Sequence, residues 1–334
     1  MCTRLFVFFL AFALFACSES ADPDPSDPET EIEADFTGLS AIPGSGRRSA
    51  FSFAIGNKVY VGAGFGRDAS GQTYLADFWE YDVASNTWTE KAPFPLGPFF
   101  GQDAFAYNGK GYVFFGGTVE CSGPEVPCDH IEYNYVHAYD PASDTWQQVA
   151  DLSSIPGLRD GHATLIGDKV FFVTDNKAFE ISLLDFSYTD KAAPPVLINF
   201  AAFFRIGDKI YYMTGMDNGL GNKQCVSYDL VNGTWELLPD FPEKGRYDAS
   251  GFAMDGYGYL IGGKESDFFG KNQRFRDVWQ FEPKGKTWKK IGDYPGSGFT
   301  LKVLEVLGEK VYLGLGDEGN GLTFGSDWWV LEMK

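Results

Sequence analysis

One short element governs what this chain can become: a turn, usually a lysine, then apolar residues ending in an aromatic ring. It recurs as GNKVY ending at Tyr60, NGKGY at Tyr112, GDKVF at Phe171, GDKIY at Tyr211, DGYGY at Tyr259 and GEKVY at Tyr312. Successive aromatic positions lie 52, 59, 40, 48 and 53 residues apart. A unit of that size cannot bury its own apolar face, so the copies must stack and share a core.

The clearest copy covers residues 246–295. Its apolar and aromatic runs at 251–261 and 278–281 are broken by Gly, Asp, Pro or Lys every few residues, the pattern of strands joined by turns. No window outside the extreme N-terminus keeps a helical period for three turns, so the chain reads as almost wholly β. Its 40 glycines serve turns and close backbone approaches. A glycine-rich step follows most copies, at 62–64, Gly116 and Gly117, Gly215, Gly262 and Gly263, and 314–316. Further along each unit, two ring or apolar positions lie seven apart: Tyr81 and Trp88, Tyr139 and Trp146, Ile181 and Tyr188, Tyr228 and Trp235, Phe281 and Trp288. A proline commonly lies seven further on, at Pro95, Pro195, Pro242 and Pro295, and Ser153 breaks that rule.

A double glycine after a hydrophobic strand, followed by Tyr and Trp at fixed spacing, resembles the kelch repeat. That resemblance covers roughly residues 36–334 and implies an all-β fold, in which each repeat of about fifty residues is one four-stranded blade of a β-propeller. The third copy departs most, with Thr174 and Asp175 in place of the glycines and Tyr188 in place of Trp. Blades counted from Arg47, Phe99, Arg159, Ile198, Gly245 and Ser297 number six. Phe36 precedes Pro43 by the spacing that Trp88, Tyr188, Trp235 and Trp288 keep to their prolines, so residues 35–43 read as an outermost strand without its blade. At the other end, 327–331 matches 77–81 and 277–281, yet the sequence stops at Lys334 before an outer strand. The two fragments complete one blade, and the expected fold is a six-bladed propeller closed by its N-terminal strand, which removes exposed sheet edges.

Residues 1–16 carry one positive charge and an apolar run from Leu5 to Ala16, too short to span a bilayer core, and read as a signal peptide. The sequence Leu14-Phe15-Ala16-Cys17 resembles a bacterial lipoprotein signal, which implies lipidation of Cys17; an ordinary secreted protein is the alternative. Residues 17–35 then form an acidic, proline-containing tether, with eight acids and no base from Ser18 onward. These features predict an exported, outer-membrane lipoprotein, periplasmic or surface-facing, held to the membrane only by its lipid. The formal net charge is -19, and residues 36–334 alone carry 38 acids against 26 bases, which argues against nucleic acid as a partner.

In an exported protein, Cys121 and Cys128 bracketing SGPEVP read as a disulfide that staples a long loop; a metal site beside His130 competes, without a second ligand pair. Cys225 falls at the register of Phe78, Val136, Val278 and Trp328 and reads as a core residue. No cofactor or metal is expected from the three scattered histidines.

The kelch resemblance implies that inner strands line a central channel and that the connections between second and third strands project on one face. Those connections are long here, at 64–77, 117–134, 215–224, 263–277 and 316–327. They supply Phe65, Arg67, Tyr74, Phe268, Phe269, Arg274 and Phe324 as candidate binding residues. Rings mixed with charges suit a sugar or peptide. Arg47, Arg48, Arg159 and Arg246 begin innermost strands. They either converge on the channel mouth to clamp a carboxylate or pair with blade acids such as Asp160 and Asp248. The expected function is a binding module for a glycan, peptide or envelope protein. The alternative is a sugar-active enzyme similar to the bacterial kelch sialic-acid mutarotases, with Arg159, Arg246 and Asp248 near the pore as the groups that handle protons.

Overall fold

The computed structural model describes residues 32–68, 71–120, 129–158, 161–266, 272–297, 300, 303–318 and 323–334. Among these residues the chain forms six four-stranded antiparallel sheets, five of them meanders and the sixth completed by the N-terminal strand. Blade 1 is Phe51–Ile55, Lys58–Gly62, Phe78–Asp82 and Thr87–Lys91. Blade 2 is Phe100–Tyr107, Lys110–Glu120, Asp129–Asp140 and Thr145–Asp151. Blade 3 is His162–Ile166, Lys169–Val173, Ala178–Ser182 and Tyr188–Lys191. Blade 4 is Ala202–Ile206, Lys209–Asp217, Leu220–Asp229 and Thr234–Leu238. Blade 5 is Ser250–Met254, Tyr257–Ile261, Asp277–Glu282 and Thr287–Asp293. Blade 6 is Val303–Leu307, Lys310–Gly314 and Trp328–Met333, completed on its outer edge by Ala34–Leu39.

Each sheet has two apolar faces, and the core is therefore divided into six clusters, one at each junction between consecutive blades. Phe51, Phe53 and Tyr60 of blade 1 meet Val113 and Tyr139 of blade 2, and the series continues to Tyr312 and Trp328 of blade 6 against Val59 and Tyr81 of blade 1. The ring is thus closed, and no blade leaves an apolar face in water.

Closure depends on register. Phe36 lies opposite Leu331, the place that Trp88 takes opposite Tyr81 and Trp235 takes opposite Tyr228. Three of the tryptophans also tie their blade to the one before it. Trp146 and Trp235 donate their indole N–H groups to the carbonyls of Ala92 and Ala192, just beyond the preceding outer strands, at 3.0 and 2.7 Å. Trp88 does the same to Ser40 at 2.7 Å, treating the N-terminal strand as the outer strand of blade 6.

The glycine step has a similar purpose. Gly64, Gly215 and Gly316 adopt left-handed backbone conformations and donate N–H groups to the carbonyls of Phe99, Arg246 and Arg47, where the next blade begins. A Cβ on Gly64 would stand 2.7 Å from the Arg48 carbonyl oxygen, so only glycine fits. Blade 3 lacks the glycines and makes its link differently: the Asp175 carboxylate accepts the Ile198 N–H at 2.7 Å. Its second and third strands are joined by a tight turn, held by the Thr174 N–H to the Lys177 carbonyl at 2.9 Å.

Candidate functional site

Arg47 and Arg246 occupy the same register in blades 1 and 5, and both side chains are sealed inside the protein at 0% exposure. Arg47 forms a two-pronged pair with Asp77 at 2.6 and 2.7 Å and also donates to the Ala63 carbonyl. Arg246 repeats it with Asp277 at 2.6 and 3.1 Å and the Gly262 carbonyl. Trp79 and Trp279 each donate an indole N–H to the same carboxylates at 2.7 Å. Burial opposes ionisation of Asp77, but the Arg47 guanidinium and the indole outweigh it and hold the carboxyl below its usual range. These two arginines are therefore blade fasteners and not clamps at the channel mouth. Their partners are Asp77 and Asp277, not Asp248, and Asp160 lies outside the described residues. Asp248 pairs with Lys264 at 2.7 Å instead.

Arg48, one residue on, behaves differently. Its side chain keeps 33% exposure, and its nearest carboxylate oxygen, on Asp317, is 3.7 Å away. The guanidinium lies 5.3 Å from the Phe65 ring centre and 5.9 Å from that of Phe324. Phe65 contacts Tyr74 at 4.8 Å and Phe324 at 5.5 Å, and Tyr74 reaches Phe100 at 5.6 Å. Rings from the connections of blades 6 and 1 and from the first strand of blade 2 thus form a belt with one cation against it. The local cause is the excursion in blade 1: Phe65–Asp68 and Gly71–Tyr74 form a hairpin whose first strand also pairs with Arg47–Arg48.

Four of the expected binding residues, Arg48, Phe65, Tyr74 and Phe324, are brought together. Arg67 stands exposed beyond the belt, its carbonyl accepting from the Ser45 hydroxyl. Arg274 lies apart, on Asn272–Arg274, opposite Lys264 in the blade 5 hairpin. Arg159, Phe268, Phe269, Cys17 and the Cys121–Cys128 pair lie outside the described residues. Cys225 is a buried free thiol in the junction of blades 4 and 5, and burial pushes it up to about 12.

Below the belt, all six inner strands or their lead-ins surround a central channel of about 450 Å³. Two of its carboxylates were not anticipated from the sequence. Asp103 is 7% exposed, and burial, partly offset by the Ala163 N–H, pushes its pKa up to about 7. Glu305 accepts from the Ser52 hydroxyl of the next blade at 2.6 Å, and burial likewise pushes it up to about 7. Asp248 completes the set, its pKa raised by burial against the pull of Lys264 and Arg48. His162 contacts the Ile198 carbonyl through Nε2 at 3.0 Å, and burial lowers its pKa. A signal for the missed pair exists in the repeats: Asp103 and Glu305 stand at the registers of Phe51 and Phe53, where the other inner strands, His162 apart, present an apolar or small side chain.

The fold and its channel define a class, the six-bladed kelch-type β-propeller. A family model described as the KLHDC2/KLHL20/DRC7 Kelch-repeats domain matches residues 35–174. The chain is similar to Kelch domain-containing protein 3 of Homo sapiens, 25% identical over 316 residues, covering 79% of this chain and 78% of that one. It is also similar to the N-acetylneuraminate epimerase of Pasteurella multocida, 24% identical over 245 residues, covering 72% of this chain and 58% of that one. The solved structure of YjhT superposes with a TM-score of 0.70 at 16% identity, covering 89% of this chain and 99% of that one.

Proposed function

We propose that the chain is an exported, lipid-anchored binding module that holds a glycan or peptide bearing an acidic group against its loop face. The observation that carries this reading is Arg48, a partly exposed guanidinium beside Phe65 and Phe324, with Tyr74 extending the ring surface. Rings of that kind stack on the apolar face of a sugar or side chain, while a guanidinium offers paired donors to a carboxylate. Asp317 stands too far off to fix the guanidinium in a hydrogen-bonded pair, which leaves room for an incoming acid. Glycan-array and pull-down capture with the mature protein, repeated with Arg48→Ala and Phe324→Ala, tests the reading. Capture that survives both substitutions removes the loop face from consideration. Lipidation of Cys17 is checked by metabolic labelling with an alkyne fatty acid, which Cys17→Ala should abolish.

A second reading, a sugar-active enzyme, is favoured by similarity to proteins named N-acetylneuraminate epimerase and by a channel carboxyl, Asp248, whose raised pKa suits proton transfer. The full burial of Arg246 against Asp277 leaves it poorly placed for that chemistry. Sialic-acid anomerisation followed by NMR decides the matter: a rate unchanged by added protein eliminates the enzyme.

A further inference from the structure

The channel has a chemical character opposite to that of the belt above it. Its wall bears the three carboxylates Asp103, Asp248 and Glu305, and the described lining residues include no lysine or arginine; Lys264 reaches Asp248 alone, at 2.7 Å, from outside the lining. Phe200 and Phe203 supply ring surface on the blade 4 side. The protein carries a formal net charge of -19, so its field draws cations toward such a cleft.

Asp248 provides the independent sign of a ligand. It is 6% exposed and lines the channel; one carboxylate oxygen, Oδ2, meets Lys264, while Oδ1 accepts no hydrogen bond. A buried carboxylate oxygen without a donor is costly, and native proteins seldom leave one so. Asp248 also holds a left-handed backbone angle, φ 56°, as Ser49 and Phe200 do at the same register with 52° and 55°. Such angles in non-glycine residues, one of them a bulky ring, persist only where surrounding structure enforces them.

We propose that the central channel binds a small organic cation, a ligand with primary or secondary ammonium groups, whose N–H donors meet Asp248 and Glu305 and whose alkyl part lies against Phe200 and Phe203. A space of about 450 Å³ lies within the range of small-molecule sites. Ammonium groups beside aromatic faces gain cation–π attraction, and beside carboxylates they gain charge-assisted hydrogen bonds. The site adjoins the loop face, since Arg48 acts on Asp248, but it takes a ligand of opposite charge and its argument does not use the loop-face reading.

Spermidine is the probe, titrated calorimetrically into the intact mature protein at about 150 mM salt, where surface association is screened. One saturable site is expected at pH 8. Its affinity should fall at least tenfold in Asp248→Asn, a substitution that keeps shape and tolerates the backbone angle, and at least tenfold in Glu305→Gln. N1,N8-diacetylspermidine, which lacks two of the charges, should bind at least tenfold more weakly. Affinity should also drop between pH 8 and pH 6 as Asp103 and Glu305 take up protons. The groups near Asp103 are the Ala163 N–H and Tyr212, and Glu305 faces the Ser52 hydroxyl. Absence of a saturable site, equal binding of the diacetylated probe, or less than tenfold loss in both variants with unchanged circular dichroism would overturn the proposal.

Discussion

Phe36 stands opposite Leu331 in the outer ladder of blade 6 and packs its ring edge-on to Tyr294 of blade 5 at 5.7 Å. Through this pair a strand from the N-terminal side caps a sheet begun some 270 residues later. The relationship makes ring stability depend on a residue far from the repeats that it completes.

Phe36→Ala is accordingly expected to cost about 2–3 kcal/mol, somewhat less than a fully buried phenylalanine. Removal of residues 32–40 should uncover the edge of Trp328–Met333 and drive self-association. Denaturant titration and size-exclusion chromatography check the two outcomes; a truncated protein that stays monomeric with an unchanged midpoint would contradict them.

Arg47→Ala and Arg246→Ala should each destabilise by up to about 3–5 kcal/mol, because each leaves a partly buried carboxylate without its cation. Arg47→Lys should be milder but still destabilising, since one ammonium cannot reproduce two parallel bonds. The Arg47–Asp77 double-mutant cycle measures the coupling, and a value near zero would show that the pair does not fasten the blade.

Two glycines make room for rings from the preceding blade. An added Cβ would stand 2.1 Å from the Phe53 ring at Gly111, and 2.1 Å from the Phe204 ring at Gly258. Gly258→Val should cost at least about 1–3 kcal/mol through overpacking. Phe204→Leu in the same chain should restore part of that loss, as read from melting temperatures of the single and double variants.

Stability should respond to pH through the channel. Asp103 sits at about 7 in the folded protein and near 4 when unfolded. Between those values the folded state binds more protons, so this group's contribution is complete below about pH 4 and is lost as pH rises through 7. His137 and His162, whose pKa values burial lowers, act in the opposite sense as pH falls through about 6.5. The clean quantity is therefore the difference between the natural protein and Asp103→Asn. That difference should move in favour of the variant by roughly 1–3 kcal/mol from pH 5 to pH 8. A difference that stays flat in denaturation midpoints would refute the raised pKa.

Arg48→Ala should change stability by less than about 1 kcal/mol, because its ion pair is loose and partly solvated, while weakening ligand capture at the loop face by tenfold or more. Parallel thermal melts and binding curves separate the two effects.

Periodicity, together with the resemblance to the kelch repeat that it carries, was enough for the architecture. The six turn-apolar-aromatic elements, five of them with a lysine, the seven-residue ladder and the stray Phe36-to-Pro43 spacing specify blades, their number and the closing strand, because strand pairing and shared faces leave a repeat of this size few other solutions. The same ladder also marked Cys225 as core. Side-chain commitments were beyond its reach, since they depend on which atoms of different blades meet. Arg47 and Arg48 are neighbours in the chain, yet opposite strand faces send one into a buried pair with Asp77 and leave the other against Phe65 and Phe324. Asp103, Asp248 and Glu305 come from three blades more than fifty residues apart, and only closure of the ring places them on one channel wall. Local pattern therefore determined the blades, whereas the tertiary structure decided which charges are buried, which are paired and which line the channel.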